Sequence, residues 1–474
     1  MKKVQEPTVR KTLIVEPTAR KTLTAEPTVR KTLTVATRRL RWRSLIGLAA
    51  AIVVMSVVVL SGQELKHVPP AAPTFSVLYS FNGGDASDGA GPNGLVRDTA
   101  GNLYGTTTFG GVPCPAAIGC GTVFKLTPTG TETLLYSFGW RANPADSLIL
   151  DRAGNLYGTT PDFRECILFG SPCGTVFKLD PTGSFTALYT FGDDVTGFTP
   201  IGSLIQDGAG NLYGTTSEAG AGGAGVVYEL IHCNSGCGFK ALYSFTGGAD
   251  GGNPQAGLIP DAAGNLYGTT YSGGAHGNGV VFELIRCHSA PSGYEYRVLH
   301  SFAGGSDGAN PVASLIRDAA GNLYGTTAQG GDQSSACNFE QGTGGNGTCG
   351  VVFKLSPTGT ETVLHSFTGG ADGGNPVAGL VRDAAGNLYG TTQNGGAESR
   401  ACGNGAGNGP CGVVFKLSSC GSGFKVLHTF TGGADGGIPT AGLIQDPAGN
   451  LYGTASTGGS GVPDHAGVVF KLTP

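Results

Sequence analysis

From residue 75 onward, short apolar runs alternate with glycine-rich polar breaks, and no long stretch repeats apolar positions at helical spacing. Short runs of Val, Phe, Tyr and Leu bounded by Gly, Asn, Asp and Pro read as β-strands. One unit shows the order. Gly-Leu-Val-Arg-Asp383 is a first strand, Ala-Ala-Gly-Asn387 a turn, and Leu-Tyr-Gly-Thr-Thr392 a second strand. A variable glycine-rich loop leads to a third strand, Gly-Val-Val-Phe-Lys-Leu417. A hairpin then leads to a fourth, Phe-Lys-Val-Leu-His-Thr-Phe430.

The unit recurs. Its Ala-Gly-Asn-Leu-Tyr-Gly-Thr signature places the first glycine at Gly101, Gly154, Gly210, Gly264, Gly321, Gly386 and Gly449, a spacing of 53 to 65 residues. Repeats of that length, each with four antiparallel strands, predict propeller blades. The ends of the array agree. A lone fourth strand, Phe75-Ser-Val-Leu-Tyr-Ser-Phe81, opens it, and a lone third strand, Gly467-Val-Val-Phe-Lys-Leu472, finishes it. Pairing the two completes a blade and removes exposed sheet edges. The expected fold class is all-β, a seven-bladed β-propeller over residues 75–474 closed by its N-terminal strand. An open β-solenoid is the alternative.

Ahead of the repeats, charge and hydropathy split sharply. Residues 1–43 carry twelve Lys or Arg against three Glu and a decapeptide repeat beginning at Glu6, Glu16 and Glu26. A basic tail of that composition is expected to be disordered. Residues 44–63 hold no charge and match the roughly 20 residues that a helix needs to span a bilayer. Arg38, Arg39, Arg41 and Arg43 precede them, so the tail is expected in the cytoplasm and the repeats across the membrane. A cleaved, secreted form is the alternative. Residues 64–74, with Pro69, Pro70 and Pro73, form a stiff linker. The body beyond the tail is acidic, which argues against nucleic acid as a partner. A monomer is expected.

Twelve cysteines in an exported repeat protein point to disulfides. Cys114/Cys120, Cys166/Cys173, Cys337/Cys349 and Cys402/Cys411 each fall in the loop before a third strand, and Cys233/Cys237 would close a hairpin. Cys287 and Cys420 lack local partners and are free thiols or a long-range pair. Zinc is the alternative, but the pairs fall on different blades and do not form a four-ligand set.

Three features offer candidate chemistry. The loops between blades carry Asp250/Asn253, Asp307/Asn310 and Asp372/Asn375 among glycines. These are hard oxygen donors of the kind that suits Ca²⁺, and equally the residues of a plain Asx turn. Trp140 beside Arg141, in an irregular loop, could stack on a sugar or fill the gap of that loop. His300, His365 and His428 share a repeat position with Tyr79, Tyr136, Tyr189 and Tyr243, which reads as a half-buried aromatic slot. No nucleophile elbow, zinc-protease helix or P-loop occurs, and no catalytic residue is nominated.

The unit Gly-Leu-Ile-x-Asp-x-Ala-Gly-Asn-Leu-Tyr-Gly-Thr-Thr, followed by Gly-Val-Val-Phe-Lys-Leu and Val-Leu-x-Ser-Phe-x-Gly-Gly-x-Asp-Gly, resembles the GloVer tandem-repeat family over about residues 75–474. The resemblance implies an exported bacterial repeat protein with one of several kinds of anchor, and it implies no activity. The chain ends at Leu472-Thr-Pro474 without a sorting segment, so anchoring is expected from residues 44–63. The function expected is a binding or scaffold module for envelope protein or glycan. Two alternatives are a purely structural surface protein and an enzyme resembling lactonase-type or streptogramin-lyase-type propellers, whose blades carry similar turns.

Overall fold

The computed structural model describes residues 72–474 apart from 84–87, 112–119, 140–141, 145, 162–173, 193, 232, 234–235, 338–347, 400–401, 403–408 and 461–465. The tail, the apolar segment 44–63, Trp140, Arg141, Cys114, Cys166 and Cys173 therefore lie outside the described residues. Among the described residues no helix is long and apolar enough to cross a membrane. The chain divides into two units, and the second, Ala71–Pro474, carries the repeats.

That unit is a seven-bladed β-propeller of four-stranded antiparallel blades. Blade 1 comprises Ala90–Arg97, Leu103–Phe109, Thr122–Leu126 and Glu132–Ser137, hydrogen-bonded in that order. Blades 2 to 6 repeat the order, and blade 7 joins Ile444–Gln445, Leu451–Ala455 and Val468–Thr473 to Thr74–Ser80. Register runs from Thr74 opposite Thr473 to Ser80 opposite Val468. The closure read from the lone strands is therefore present, and the open solenoid is excluded.

Blade 1 has a full first strand, but in blades 2 to 7 the first strand is only two residues long, shorter than the sequence suggested. Blade 6 pairs only Val381–Arg382 with its second strand, where Gly379 to Asp383 was expected. Leu380 instead turns into the core, and the residues before it border the central channel. Seven chains converging on one axis leave little room, which explains the small residues there.

Blades are joined by repeated aromatic and hydroxyl contacts. The Phe that ends each fourth strand meets the aromatic of the next blade's third strand, as in Phe81–Phe124, Phe191–Tyr228 and Phe367–Phe415, with centroids 5.2 to 5.3 Å apart. Such a pair adds roughly 0.5–1.5 kcal/mol beyond the area that it buries. The third-strand ring also dictates the glycine in Leu-Tyr-Gly-Thr. A Cβ on Gly390 would stand 2.6 Å from Phe415, and one on Gly105 2.7 Å from Phe124. Near the axis, Thr215, Thr269, Thr326 and Thr391 donate to the carbonyls of Ala256, Ala313, Ala378 and Ala441 in the following blade, at 3.0 to 3.4 Å. Thr454 does the same to Asn93, 3.0 Å away, and so ties blade 7 to blade 1.

Candidate functional site

The up-and-down strand order gives the ring two faces. One bears the turns between first and second strands and the hairpins between third and fourth. The other bears the loops between second and third strands and the connectors between blades. Bridges Gly252↔Ser272, Ala309↔Gln329, Gly374↔Asn394 and Gly437↔Thr457 hold connector and loop together there. We call these the turn face and the loop face.

On the turn face, the Asp of each repeat accepts from the backbone N–H of Asn four residues on at 2.8 to 2.9 Å. It also accepts from the Asn side chain at 2.7 to 3.0 Å. A Tyr hydroxyl adds a third bond at 3.0 to 3.1 Å. The intervening glycine has φ between +84° and +91° in all seven copies, a conformation that favours glycine. Burial pushes each Asp up, but these bonds outweigh it and hold Asp98, Asp151, Asp207, Asp261, Asp318, Asp383 and Asp446 below the usual carboxylate range. The signature sequence is a hairpin lock.

The connector aspartates of the loop face are also engaged. Asp250 accepts from Tyr243 at 3.0 Å and from the Thr246 N–H at 2.9 Å. Asp372 and Asp435 meet His365 and His428 at 3.2 and 3.1 Å, and Asp307 lies 3.5 Å from His300. Asn253, Asn310 and Asn375 take positive φ and donate to Ser217, Tyr271 and Ala328 of the preceding blade at 2.8 to 3.0 Å. The structure thus turns the Asp and Asn of each candidate calcium loop toward different partners. Among the described residues no group of three or more His, Cys, Asp or Glu is arranged to hold a metal ion.

The Tyr/His slot is an aromatic stack, in line with its sequence reading. His365 lies on Phe424 with centroids 3.8 Å apart, His428 on Phe75 at 3.7 Å, and Tyr243 on Tyr296 at 3.9 Å. Blades 1 and 5 place Glu132 and Glu361 at the stacking position. Glu361 Oε1 is buried without a hydrogen-bond partner among the described residues. Burial, helped by the charge of Asp307, pushes this carboxyl up to about 7.

Three disulfides have both partners among the described residues: Cys233–Cys237, Cys337–Cys349 and Cys402–Cys411. Cys120 is disulfide-bonded, whereas Cys287 and Cys420 are free, so the long-range pair between the last two does not form. Disulfides at these positions indicate an oxidising environment.

The central channel departs from seven-fold sameness. A cavity of about 280 Å³ opens there, bordered by residues of blades 2 to 7. Two positions before each first-strand Leu stand Asn93, Asp146, Gly202, Ala256, Ala313, Ala378 and Ala441. Asp146 is the one ionisable member. Its carboxylate accepts from the Ser147 N–H at 2.6 Å and from the Ser203 N–H of the next blade at 2.7 Å. It touches the channel space yet lies deep among protein atoms, and this burial outweighs its hydrogen bonds and pushes the carboxyl up. No Lys, Arg or His borders the cavity among the described residues; Ser147, Ser203, Gln255, Ser314 and Thr440 supply its other polar side chains. Such a site can hold a polar ligand by charge and hydrogen bonds. Among the described residues Asp146 is the one ionisable side chain that borders it. Reading the repeats for what they share missed Asp146; comparing them column by column would have exposed it.

The profile of the Gloeobacter/Verrucomicrobia repeat matches residues 65–236, 169–343 and 340–474, and the chain belongs to that family. No curated protein matches the sequence. Among solved structures, virginiamycin B lyase from Staphylococcus aureus is similar with a TM-score of 0.50 at 12% identity, over 85% of this chain and 99% of that one. The extracellular domain of the hybrid two component system BT4673 from B. thetaiotaomicron gives a TM-score of 0.51 at 11% identity, over 83% of this chain and 39% of that one. At such identities the likeness shows the fold alone.

Proposed function

Taking the chain as a member of this repeat family, we propose that it is an extracytoplasmic binding module, anchored in the bacterial inner membrane through residues 44–63, which engages envelope glycan or protein through its loop face. The observation that carries this reading is the distribution of difference. The turn-face aspartates and the connector aspartates are held in bonds that build the blades, while the departures from the repeat gather at the channel and in the second-to-third-strand loops. A binding surface needs such local variety on a rigid ring, and loops on rigid scaffolds commonly carry function. Arginines before an uncharged segment support the anchor and its orientation, and the disulfides fit an oxidising compartment. That Asp146 is the one carboxylate bordering the channel among the described residues weighs against the lyase or hydrolase reading, and loops that differ from blade to blade weigh against a purely structural role.

The test uses the full chain in detergent on a glycan array and in a pull-down from envelope extract. Saturable capture of a defined glycan or envelope protein, abolished by substitutions in the loop-face connectors and retained by substitutions in the turn-face hairpins, is expected. Capture that depends on the turn face, or no capture by either method, would overturn the reading.

A further inference from the structure

We propose that the central channel is a binding site for a small amino sugar, with Asp146 receiving its ammonium group. The inference rests on the binding-module reading above and specifies one ligand class for it.

The charge sets the first requirement. Asp146 is an acid at a position where four blades place alanine, and no cationic side chain borders the cavity among the described residues. Its partners, the N–H groups and hydroxyls of Ser147 and Ser203, are neutral. A carboxylate placed deep in protein without a counter-charge is costly, and a ligand cation would offset that cost. Burial raises its affinity for protons for the same reason.

The walls set the second requirement. Ala256, Ala313, Ala378 and Ala441 give no aromatic surface of the kind that cages quaternary ammonium ions. The uncharged polar side chains, Ser147, Ser203, Gln255, Ser314 and Thr440, come from five blades around the axis. Hydroxyls and an amide distributed in that way match a ligand with several hydroxyls around a ring. An amino acid or a sugar phosphate would bring an anion into a space without a cation to receive it. The volume, about 280 Å³, admits one monosaccharide. A single ammonium on a polyhydroxylated ring meets all of these conditions.

Isothermal titration of the full chain with glucosamine, and separately with N-acetylglucosamine, tests the assignment. N-acetylation keeps the ring and removes the charge. Glucosamine is expected to bind, with at least a tenfold loss in Asp146→Asn, which keeps the size and an acceptor but not the charge. N-acetylglucosamine is expected to give no heat. Asp146→Ala copies the other blades, so its melting curve should match the parent while its glucosamine heat disappears. Silence toward glucosamine, equal binding of the two sugars, or full affinity in Asp146→Asn would each overturn the proposal. Array capture that survives alongside a silent titration would overturn this assignment and leave the loop-face reading standing. Titration heat without array or extract capture would do the reverse.

Discussion

The turn face and the central channel use aspartate in opposite ways. On the turn face, seven aspartates sit in seven equal environments, each with an Asn and a Tyr donating to it, and all are held below the ordinary carboxylate range. At the channel a single aspartate stands at a position where four blades have alanine, with the N–H groups and hydroxyls of Ser147 and Ser203 as donors, and burial pushes it the other way. The same residue type is therefore an ionised lock where its neighbours repeat with it and an uncompensated charge where they do not. A repeat protein states its architecture in what recurs and its site in what recurs nowhere.

The joint on which both faces depend gives the largest expected effect. Phe81 is fully buried and bridges the closed seventh blade to Phe124 of the first. Phe81→Ala should cost about 3–5 kcal/mol in urea unfolding, the range for deleting a buried Phe. A change under about 1 kcal/mol would mean that the ring holds without this seam.

Next comes the comparison of the aspartates themselves. Asp383→Ala removes acceptors for the Asn387 N–H, the Asn387 amide and the Tyr389 hydroxyl, and should cost about 2 kcal/mol. Asp146→Ala should stay within about 1 kcal/mol of the parent, because water in the channel can replace the lost acceptor. Equal costs would erase the distinction between the turn face and the channel.

The smallest effect concerns Glu361. Its carboxyl is raised in the folded chain from an ordinary 4.5 to about 7, so folding favours its protonated form. Stability from this group is fully present below about pH 4.5 and is lost as pH rises through 7. Glu361→Phe restores the aromatic that blades 2, 3, 4, 6 and 7 place there. It should raise the melting temperature by a few degrees at pH 8, with a smaller gain at pH 4.5, where the parent's carboxyl is already neutral. Equal gains at both pH values would assign the effect to stacking alone.

Much of the ring was legible beforehand because every blade meets the same physical needs. The glycine of Leu-Tyr-Gly-Thr recurs because an aromatic ring leaves no room for a Cβ. The lone strand at Phe75 announced closure because an unpaired edge is costly. The Tyr/His slot was recognisable as aromatic, but its bond to the connector Asp was not, since that Asp lies seven residues on, beyond the strand end. Short first strands were hidden because crowding at an axis depends on all seven blades at once. Asp146 was missed for a different reason: one residue in one blade contributes nothing to a period.

Closure also sets the order of events in assembly. The strand Thr74–Ser80 precedes every other strand of the ring yet pairs with Val468–Thr473, the final strand of the array. A ribosome or an export channel delivering the chain from its N-terminus must release nearly every other strand before this one finds its partner. Until then its edge stays open to chaperones, to proteases and to other copies. The seam thus works as a completeness check on the array, in which a chain that loses its final strand displays an unpaired first one.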